Sequence, residues 1–331
     1  MERTLHAIQE DDPGARWAGI YRDLAAGYTT WFLREGDAAR PSYAAASEAL
    51  RAHMPELFPV YERLVELAGG GDQAARMLAL WCPAPYLTGC SQAVWRGPTP
   101  LLVRNYDYLP HLWDGVLLSS KWTGRRVVGM LDSMWGVLDG MNEDGLAVSL
   151  AFGGRPVVGP GFGMPLILRY ILETCRDVPE AVAVLLRVPS HMSYNVTLLD
   201  RQGRYRTVFV APDRPTAVTH RSIATNHQRV VEWEAFAHAT ATLDRERHLR
   251  LRLADPLETV TRFVRRFLEP PLFTNPGQRG WGTLYTAVYE PATSSMALHW
   301  THDSLVETLG SFREADVPIA YLSPIPERTA S

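Results

Sequence analysis

The spacing of hydrophobic residues along the chain changes at about residue 90. Upstream of it, apolar residues recur every three or four positions, the period of a helix that buries one face. The first such run comprises Trp17, Ile20, Tyr21, Leu24, Ala25, Tyr28 and Phe32. Further helices are predicted from Pro41-Ser42, over 56–67 and over 73–80, the last capped by Asp72 after three glycines. The pattern therefore predicts an all-helical segment before Cys90.

Downstream of Cys90, short apolar runs alternate with turns rich in Gly, Pro, Asn and Asp, which is typical of strands. Strands are predicted over 91–95, 101–104, 126–130, 146–152, 195–199, 206–210 and 223–225, with a terminal hairpin over 283–289 and 296–301. Helices are predicted over 165–175, 178–186, 230–237, 244–253 and 257–268. This order indicates an α+β fold in which two sheets stack face to face with helices outside. A GxGxxG fingerprint and a P-loop are absent from the sequence, so nucleotide binding is not indicated.

Composition narrows the classes of function. The 331 residues are 46% hydrophobic and 21% charged, with a formal net charge of −3, which favours a globular protein and gives no reason to expect a nucleic-acid partner. No apolar run approaches the roughly 20 residues of a membrane helix. The polar first residues do not resemble a signal peptide, so a cytoplasmic location is expected. The histidines follow no tight ligand spacing, and neither a metal nor another cofactor is expected.

The cysteines carry the most specific chemical signal. There are three, Cys82, Cys90 and Cys175, without a CxxC pair, so neither a disulfide framework nor a zinc site is predicted. Cys90 follows Gly89 in a turn of small residues, and Arg104 and Asp107 follow on one short strand. A cation near a thiol favours the thiolate, the reactive form of cysteine. Cys90 is therefore a candidate nucleophile, against the alternative of a buried structural cysteine.

Four segments, in order, resemble those of N-terminal nucleophile (Ntn) hydrolases. They are Gly89-Cys90, Arg104-Asn105-Tyr106-Asp107, Asp139-Gly140-Met141-Asn142-Glu143-Asp144-Gly145-Leu146 and Thr225-Asn226-His227. The resemblance is strongest to the autoproteolytic acyltransferase branch typified by penicillin acyltransferases, which is related to choloylglycine hydrolases. It implies a four-layer αββα sandwich over 90–331, preceded by a helical pro-segment over 1–89.

The resemblance also implies roles for individual residues. Asp107 would orient the α-amine of Cys90, and Arg104 would support its thiolate. Because these two residues are three apart on a strand, a bulge near Asn105-Tyr106 is predicted to bring both to the site. Asn226 would hold the acyl oxygen and the nucleophile.

Three further residues are assigned to the site or its pocket. An arginine after the asparagine segment is expected in the site, with Arg245 preferred over Arg247. His227 is expected to shape the pocket, where Asn142 is also placed, although a turn would explain Asn142 equally well.

These residues lead to a two-stage hypothesis. Cys90 attacks the Gly89 carbonyl, and water then releases residues 1–89, leaving an α-amine that acts as general base. The mature enzyme forms an acyl-cysteine from a small linear amide or an acyl thioester, and passes the acyl group to water or an amine. Two alternatives remain: a non-catalytic binding protein with the same fold, and a thiol hydrolase in which His227 is the base.

Overall fold

The computed structural model describes residues 2–321, and this range forms an α+β fold with two large sheets. The helices are α1 (Ala15–Phe32), α2 (Tyr43–His53), α3 (Phe58–Leu67), α4 (Asp72–Leu78), α5 (Met164–Thr174), α6 (Val178–Arg187), α7 (Glu234–Ala239), α8 (Thr242–Ala254), α9 (Val260–Arg266) and α10 (Pro276–Arg279). No helix in the described range is both long enough and apolar enough to cross a membrane.

The strands divide into a larger and a smaller sheet. They are β1 (Glu2–Glu10), β2 (Gly89–Trp95), β3 (Leu101–Tyr108), β4 (Val116–Ser120), β5 (Val127–Asp132), β6 (Gly136–Asn142), β7 (Ala147–Phe152), β8 (Tyr194–Leu199), β9 (Tyr205–Val210), β10 (Ala217–Thr219), β11 (Ile223–Ala224), β12 (Gly282–Glu290), β13 (Ser295–His299), β14 (Ser304–Thr308) and β15 (Ala315–Ala320). The nine-stranded sheet has the order β10-β9-β8-β7-β6-β5-β4-β1-β15, and the six-stranded sheet has the order β11-β2-β3-β12-β13-β14.

The two sheets contact each other through β2 and β3 of the smaller sheet and β7 and β8 of the larger one. Helices α5 and α6 pack against strands of the larger sheet. Leu249 of α8 and Phe263 of α9 join Ala93 and Val103 in a separate apolar cluster on the smaller sheet. Alternate residues of β2 and β3 therefore face two different environments, the space between the sheets and the layer of helices.

The first 89 residues are more than a helical segment, because β1 lies inside the larger sheet. It pairs with β4 in parallel and with β15 in antiparallel orientation. The sequence did not predict this strand, because Leu5 and Ala7 are its only buried residues and give too short an apolar pattern. Trp17 and Trp135 tie the segment further to the fold, since the Trp17 indole donates to the Met134 carbonyl (3.1 Å) and that of Trp135 to the Leu78 carbonyl (2.8 Å).

The other predicted elements match the structure unevenly. Helices α1 to α4 lie where helices were predicted, but Gly71 rather than Asp72 occupies the N-cap of α4, and the Asp72 carboxylate pairs with Arg76 instead (3.0 Å). The terminal hairpin is extended by β14, and β15 then crosses to the larger sheet; the sequence predicted neither strand. The division at residue 89 into two domains stays a prediction, although residues on both sides of it share one apolar core.

We expect the buried side of β1 to contribute to global stability. Leu5→Ala removes apolar atoms from a fully buried site, so the free energy of unfolding should fall by about 2–5 kcal/mol in denaturant titrations. Thr4→Ala, at the exposed neighbouring position, should change it by less than about 0.5 kcal/mol. Equal effects of the two substitutions would contradict the placement of β1 in the sheet.

Candidate active site

Cys90 is the second residue of β2, and its thiol is completely buried. Nη2 of Arg104 lies 3.4 Å from its Sγ atom, and Oγ1 of Thr88 lies 3.7 Å away. Burial raises the pKa of the Cys90 thiol; the Arg104 guanidinium opposes this effect, and the Asp107 carboxylate adds to it. In the uncleaved chain the thiol therefore keeps its proton until a base removes it.

Arg104 has no exposed surface, and its partners fix its position between the sheets. Nε donates to the Leu150 carbonyl (3.0 Å), while Nη1 contacts the Asp139 carboxylate and the Tyr285 hydroxyl (3.0 Å). The remaining nitrogen, Nη2, is the one that reaches Cys90. The Asp139 carboxylate compensates the buried charge of Arg104. The guanidinium is thereby held in one orientation, with its positive charge next to the sulfur of Cys90.

Asp139 is the residue of this cluster that sequence reasoning missed. Its carboxylate accepts hydrogen bonds from the hydroxyls of Tyr285 (2.6 Å) and Tyr289 (2.5 Å) as well as pairing with Arg104. It stands in one of the four recognised segments, so its position was noted without a role. The available signal was a lone aspartate in the otherwise uncharged run 133–142, since a buried carboxylate needs a partner.

Asp107 reaches the site from the opposite face of β3. Its Oδ1 accepts from the Thr283 hydroxyl (2.8 Å), and its Oδ2 lies 3.6 Å from Nη1 of Arg245. Burial raises the pKa of Asp107 to about 6, against the opposing effect of Arg245. A Cβ atom added at Gly89 would lie 3.2 Å from the Asp107 Cβ, so the absence of a side chain at Gly89 lets Asp107 pack against the Gly89–Cys90 segment.

The bulge predicted at Asn105-Tyr106 is not present. Strands β2 and β3 pair in regular register, with Cys90 opposite Tyr106. The irregularity lies on β12, between Thr283 and Tyr285, so that these two residues face Asp107 and Tyr106 on adjacent positions of β3. The Thr283 hydroxyl can then donate to Asp107 on one face of the sheet, while the Tyr285 hydroxyl contacts Arg104 on the other face.

Asn226 follows β11 and holds the main chain of Cys90. Its Oδ1 accepts from the Cys90 N–H (2.9 Å), and its Nδ2 donates to the carbonyls of Thr88 (3.2 Å) and Phe152 (3.0 Å). Its own N–H donates to the Thr242 hydroxyl (2.7 Å), at the start of α8. The amide that the sequence assigned to an acyl oxygen is thus already bonded to main-chain carbonyls in the uncleaved chain.

Of the two arginine candidates, the structure brings Arg245 to the site. It is 3% exposed, and it donates to the Cys90 carbonyl (2.6 Å), the Ser91 hydroxyl (2.9 Å) and Oδ1 of Asn226 (2.7 Å). Burial lowers the pKa of Arg245, and Asp107 opposes that shift. Arg245 therefore positions both Asn226 and the Cys90 backbone.

Asn142 is not brought to this cluster. Its Nδ2 donates to the carbonyls of Leu172 (2.9 Å) and Cys175 (2.7 Å), at the end of α5, and its Oδ1 accepts from the Leu146 N–H (3.0 Å). Because Asn142 and Asp139 are three residues apart on β6, they face opposite sides of the sheet. The predicted pocket position of Asn142 is therefore wrong, and the residue serves a turn.

His227 is buried next to Asn226, but neither ring nitrogen has Cys90 as a partner. Nδ1 lies 3.1 Å from the Thr242 hydroxyl, and Nε2 lies 3.1 Å from the Glu246 carboxylate. The hydrogen bond to His227 lowers the pKa of Glu246 to about 2. These contacts place His227 behind Asn226 and make it a support of the site.

The remaining cysteines lie elsewhere. Cys175 ends α5, where burial raises its pKa to about 11, and burial likewise raises the pKa of Cys82. No group of three His, Cys, Asp or Glu side chains suited to a metal ion occurs within residues 2–321. Two cavities, of about 310 and 140 Å³, have linings that do not include Cys90. Thr283 and Tyr285 line the larger cavity.

Comparison with solved structures gives weak similarities. Penicillin V acylase from Agrobacterium tumefaciens is 18% identical with a TM-score of 0.45, over 66% of this chain and 84% of that chain. An N-acylethanolamine-hydrolyzing acid amidase ortholog from Caenorhabditis elegans is 16% identical with a TM-score of 0.44, over 61% and 93%. A mutant of conjugated bile acid hydrolase from Clostridium perfringens is 12% identical with a TM-score of 0.41, over 72% and 99%.

Comparison of sequences gives a clear result. A search of curated proteins finds no match. A family model described as acyl-coenzyme A:6-aminopenicillanic acid acyl-transferase matches residues 95–304. This range begins after Cys90 and contains Arg104, Asp107, Asn226 and Arg245. Because the match spans more than half of the 331 residues, the chain belongs to the acyl-coenzyme A:6-aminopenicillanic acid acyl-transferase family.

Proposed function

We propose that this protein is an autoproteolytic cysteine amide hydrolase or acyltransferase, built as a four-layer αββα Ntn-hydrolase sandwich with Cys90 as its nucleophile. The carrying observation is the arrangement around Cys90: a guanidinium at its sulfur, 3.4 Å away, and Asn226 at its nitrogen, 2.9 Å away. The family supports amide hydrolysis or acyl transfer as the class of reaction.

The first stage cuts the chain. Sγ of Cys90 attacks the Gly89 carbonyl carbon, the C–N bond breaks, and the nitrogen takes the proton that left the thiol, so the products are a thioester and an α-amine. Water then cleaves the thioester, which gives a Gly89 carboxylate and a free thiol. With its pKa raised to about 6 by burial, Asp107 is largely ionised at pH 7 and borders this peptide bond, so it is a suitable carrier of that proton.

The second stage uses the new chain end. The α-amine of Cys90, with a reference pKa of about 7.7–8.0, takes the thiol proton near neutrality. The thiolate attacks a small linear amide or an acyl thioester, and the leaving amine or thiol takes the proton. Water or an amine then receives the acyl group from Cys90. Asn226 supplies an amide donor to the developing oxyanion once Thr88 no longer occupies it.

The structure of residues 1–89 changes one part of the initial hypothesis. Release of this segment would remove β1 from between β4 and β15 of the larger sheet and would expose the buried Trp17 and Leu5. Hydrophobic burial on this scale opposes dissociation. We therefore infer that cleavage frees the chain end at Cys90 while 1–89 stays bound, and that only the residues just before it need to move.

Autoproteolysis is tested by intact mass. The wild-type chain should yield two fragments separated at Gly89–Cys90, whereas Cys90→Ala should stay at one full-length mass. Cys175→Ala is the matched control, since it removes another buried thiol and should leave cleavage unchanged. Persistence of the full-length wild-type mass after long incubation would contradict the proposal and would favour a non-catalytic binding protein.

Retention of the first segment is tested on the cleaved protein. The two fragments should co-elute in native size-exclusion chromatography and separate only in denaturant, because β1 keeps both of its neighbours, β4 and β15, in the sheet. Elution of 1–89 as a separate species under native conditions would show that the core does not hold the segment.

The role of His227 is tested with substrate. Turnover is measured over a panel of N-acyl amino acids, N-acyl lactams and acyl thioesters. Because the His227 ring contacts Glu246 and Thr242, His227→Gln should keep kcat within about ten-fold of wild type, with effects that arise through Asn226. Asn226→Ala, which removes an oxyanion donor, should lower kcat by on the order of 10²-fold or more.

Folding of both variants is checked by circular dichroism. Complete loss of turnover in folded, cleaved His227→Gln would instead favour a thiol hydrolase in which this histidine is the base.

A further inference from the structure

A cavity of about 140 Å³, partly open to solvent, lies between α1 and the turn that joins β5 to β6. Its lining also includes Tyr86, in the segment that leads to Cys90, and Tyr108, at the end of β3. Tyr108 follows Tyr106, the residue opposite Cys90 on the neighbouring strand, with an aromatic contact of 5.7 Å between the two rings. The cavity therefore lies at the same end of β2 and β3 as the nucleophile.

Two carboxylates in this cavity have only neutral partners. Asp114 accepts from the Tyr28 hydroxyl (2.7 Å) and the Met134 N–H (3.3 Å). Asp132 accepts from the hydroxyls of Tyr86 (3.4 Å) and Ser133 (3.3 Å). Within the part of the chain that the structure describes, neither carboxylate is in an ion pair. Hydrogen bonds alone do not replace a counter-ion for a buried negative charge.

Burial destabilises the ionised forms of Asp114 and Asp132. It raises the pKa of Asp132 to about 6 and raises that of Asp114 well above its ordinary value, where Asp132 adds to the effect. The positive charge of Arg104 acts in the opposite direction and lowers the pKa of Asp132. The pair therefore favours any species that brings a positive charge into the cavity.

The walls of the cavity are aromatic. Trp31 makes edge contacts with Tyr28 and Tyr86, with ring centroids 5.8 and 6.0 Å apart. Such rings attract organic cations through their faces. Trp113, which is only 8% exposed, also lines the cavity, and its indole Nε1 has no hydrogen-bond partner among residues 2–321. A buried indole N–H of this kind is satisfied when a ligand brings an acceptor oxygen.

We propose that this cavity binds an organic ammonium group, with Asp114 and Asp132 as its counter-ions, aromatic rings around its hydrocarbon part and the Trp113 indole as a donor to a ligand oxygen. The assignment of this group to the amine-bearing part of the amide substrate rests on the proposed function, whereas cation binding itself does not. A bare divalent metal ion fits less well: His111 also lines the cavity, but no group of three His, Cys, Asp or Glu side chains placed to hold a metal ion occurs in the described range.

The test is calorimetric titration of full-length Cys90→Ala with benzylammonium and its neutral analogue benzyl alcohol. Benzene occupies a cavity of about 150 Å³ in another protein, so both probes have suitable rings. Benzylammonium should bind at least ten-fold more tightly than benzyl alcohol. Asp132→Asn and Asp114→Asn should each remove most of that difference without weakening benzyl alcohol, while Asp12→Asn, at an exposed acid, should change neither affinity.

Several results would overturn the proposal. They are equal affinities for the two probes, absence of benzylammonium binding, retention of the preference in both folded Asp→Asn variants, and displacement of benzylammonium by equimolar Mg²⁺ or Ca²⁺. If an Asp→Asn variant fails to fold, Trp31→Leu is used in its place. Loss of the Trp31 ring should weaken the binding of benzylammonium several-fold more than the binding of benzyl alcohol, and equal weakening would overturn the proposal. Because the titration uses an inert Cys90→Ala chain, its outcome is independent of whether the wild-type protein cleaves itself.

Discussion

The buried pair of Arg104 and Asp139 is the interaction on which the site depends. Both side chains are fully buried, and removing such charges from water costs several kcal/mol for each ion unless the partners are well placed. Tyr285 and Tyr289 complete the coordination of the carboxylate, which fixes the guanidinium in one orientation. The remaining guanidinium nitrogen, Nη2, faces the sulfur of Cys90. The site thus obtains a positive charge that needs no reorganisation when a thiolate forms.

The second constraint is the alternation of side chains along β3. Arg104 points between the sheets, towards the sulfur, and Asp107 points to the other face, towards Arg245 and Gly89. The Asp107 carboxylate therefore lies beside the Gly89–Cys90 backbone and does not face the sulfur directly. In our proposal the base is the α-amine that cleavage creates at Cys90, and this amine is joined to the sulfur through the same residue. This geometry gives a physical reason for a nucleophile at a chain end.

The sequence predicted the site unevenly, and the differences follow from what a local pattern contains. Arg104 and Asp107 were found because they stand on one short strand after Cys90. Their supports were not found: Asp139 lies on another sheet, and the bulge that presents Thr283 and Tyr285 to opposite faces lies on the partner strand β12. The N-terminal strand β1 was missed for a similar reason, since its pairing with β4 and β15 depends on residues far away along the chain. The local sequence pattern does not encode the pairing between distant strands, and this pairing determines whether such a segment forms a strand.

The burial of the Cys90 thiol fits the order of steps that we propose, in which the chain is cut before a substrate reaches the thiol. Thr88 is a partner of Asn226 and lies beside the sulfur, so a residue that covers the thiol is next to the bond that we propose Cys90 cuts. In our proposal, cleavage replaces a covalent restraint on this strand end with a local set of hydrogen bonds, while the core that holds 1–89 stays intact. Because net hydrogen bonds are worth about 1 kcal/mol each and a shared core is worth far more, the strand end can open while the segment remains. Access to the thiol would then follow from the proposed cleavage, with movement confined to the end of β2, where Gly89 pairs with Asp107.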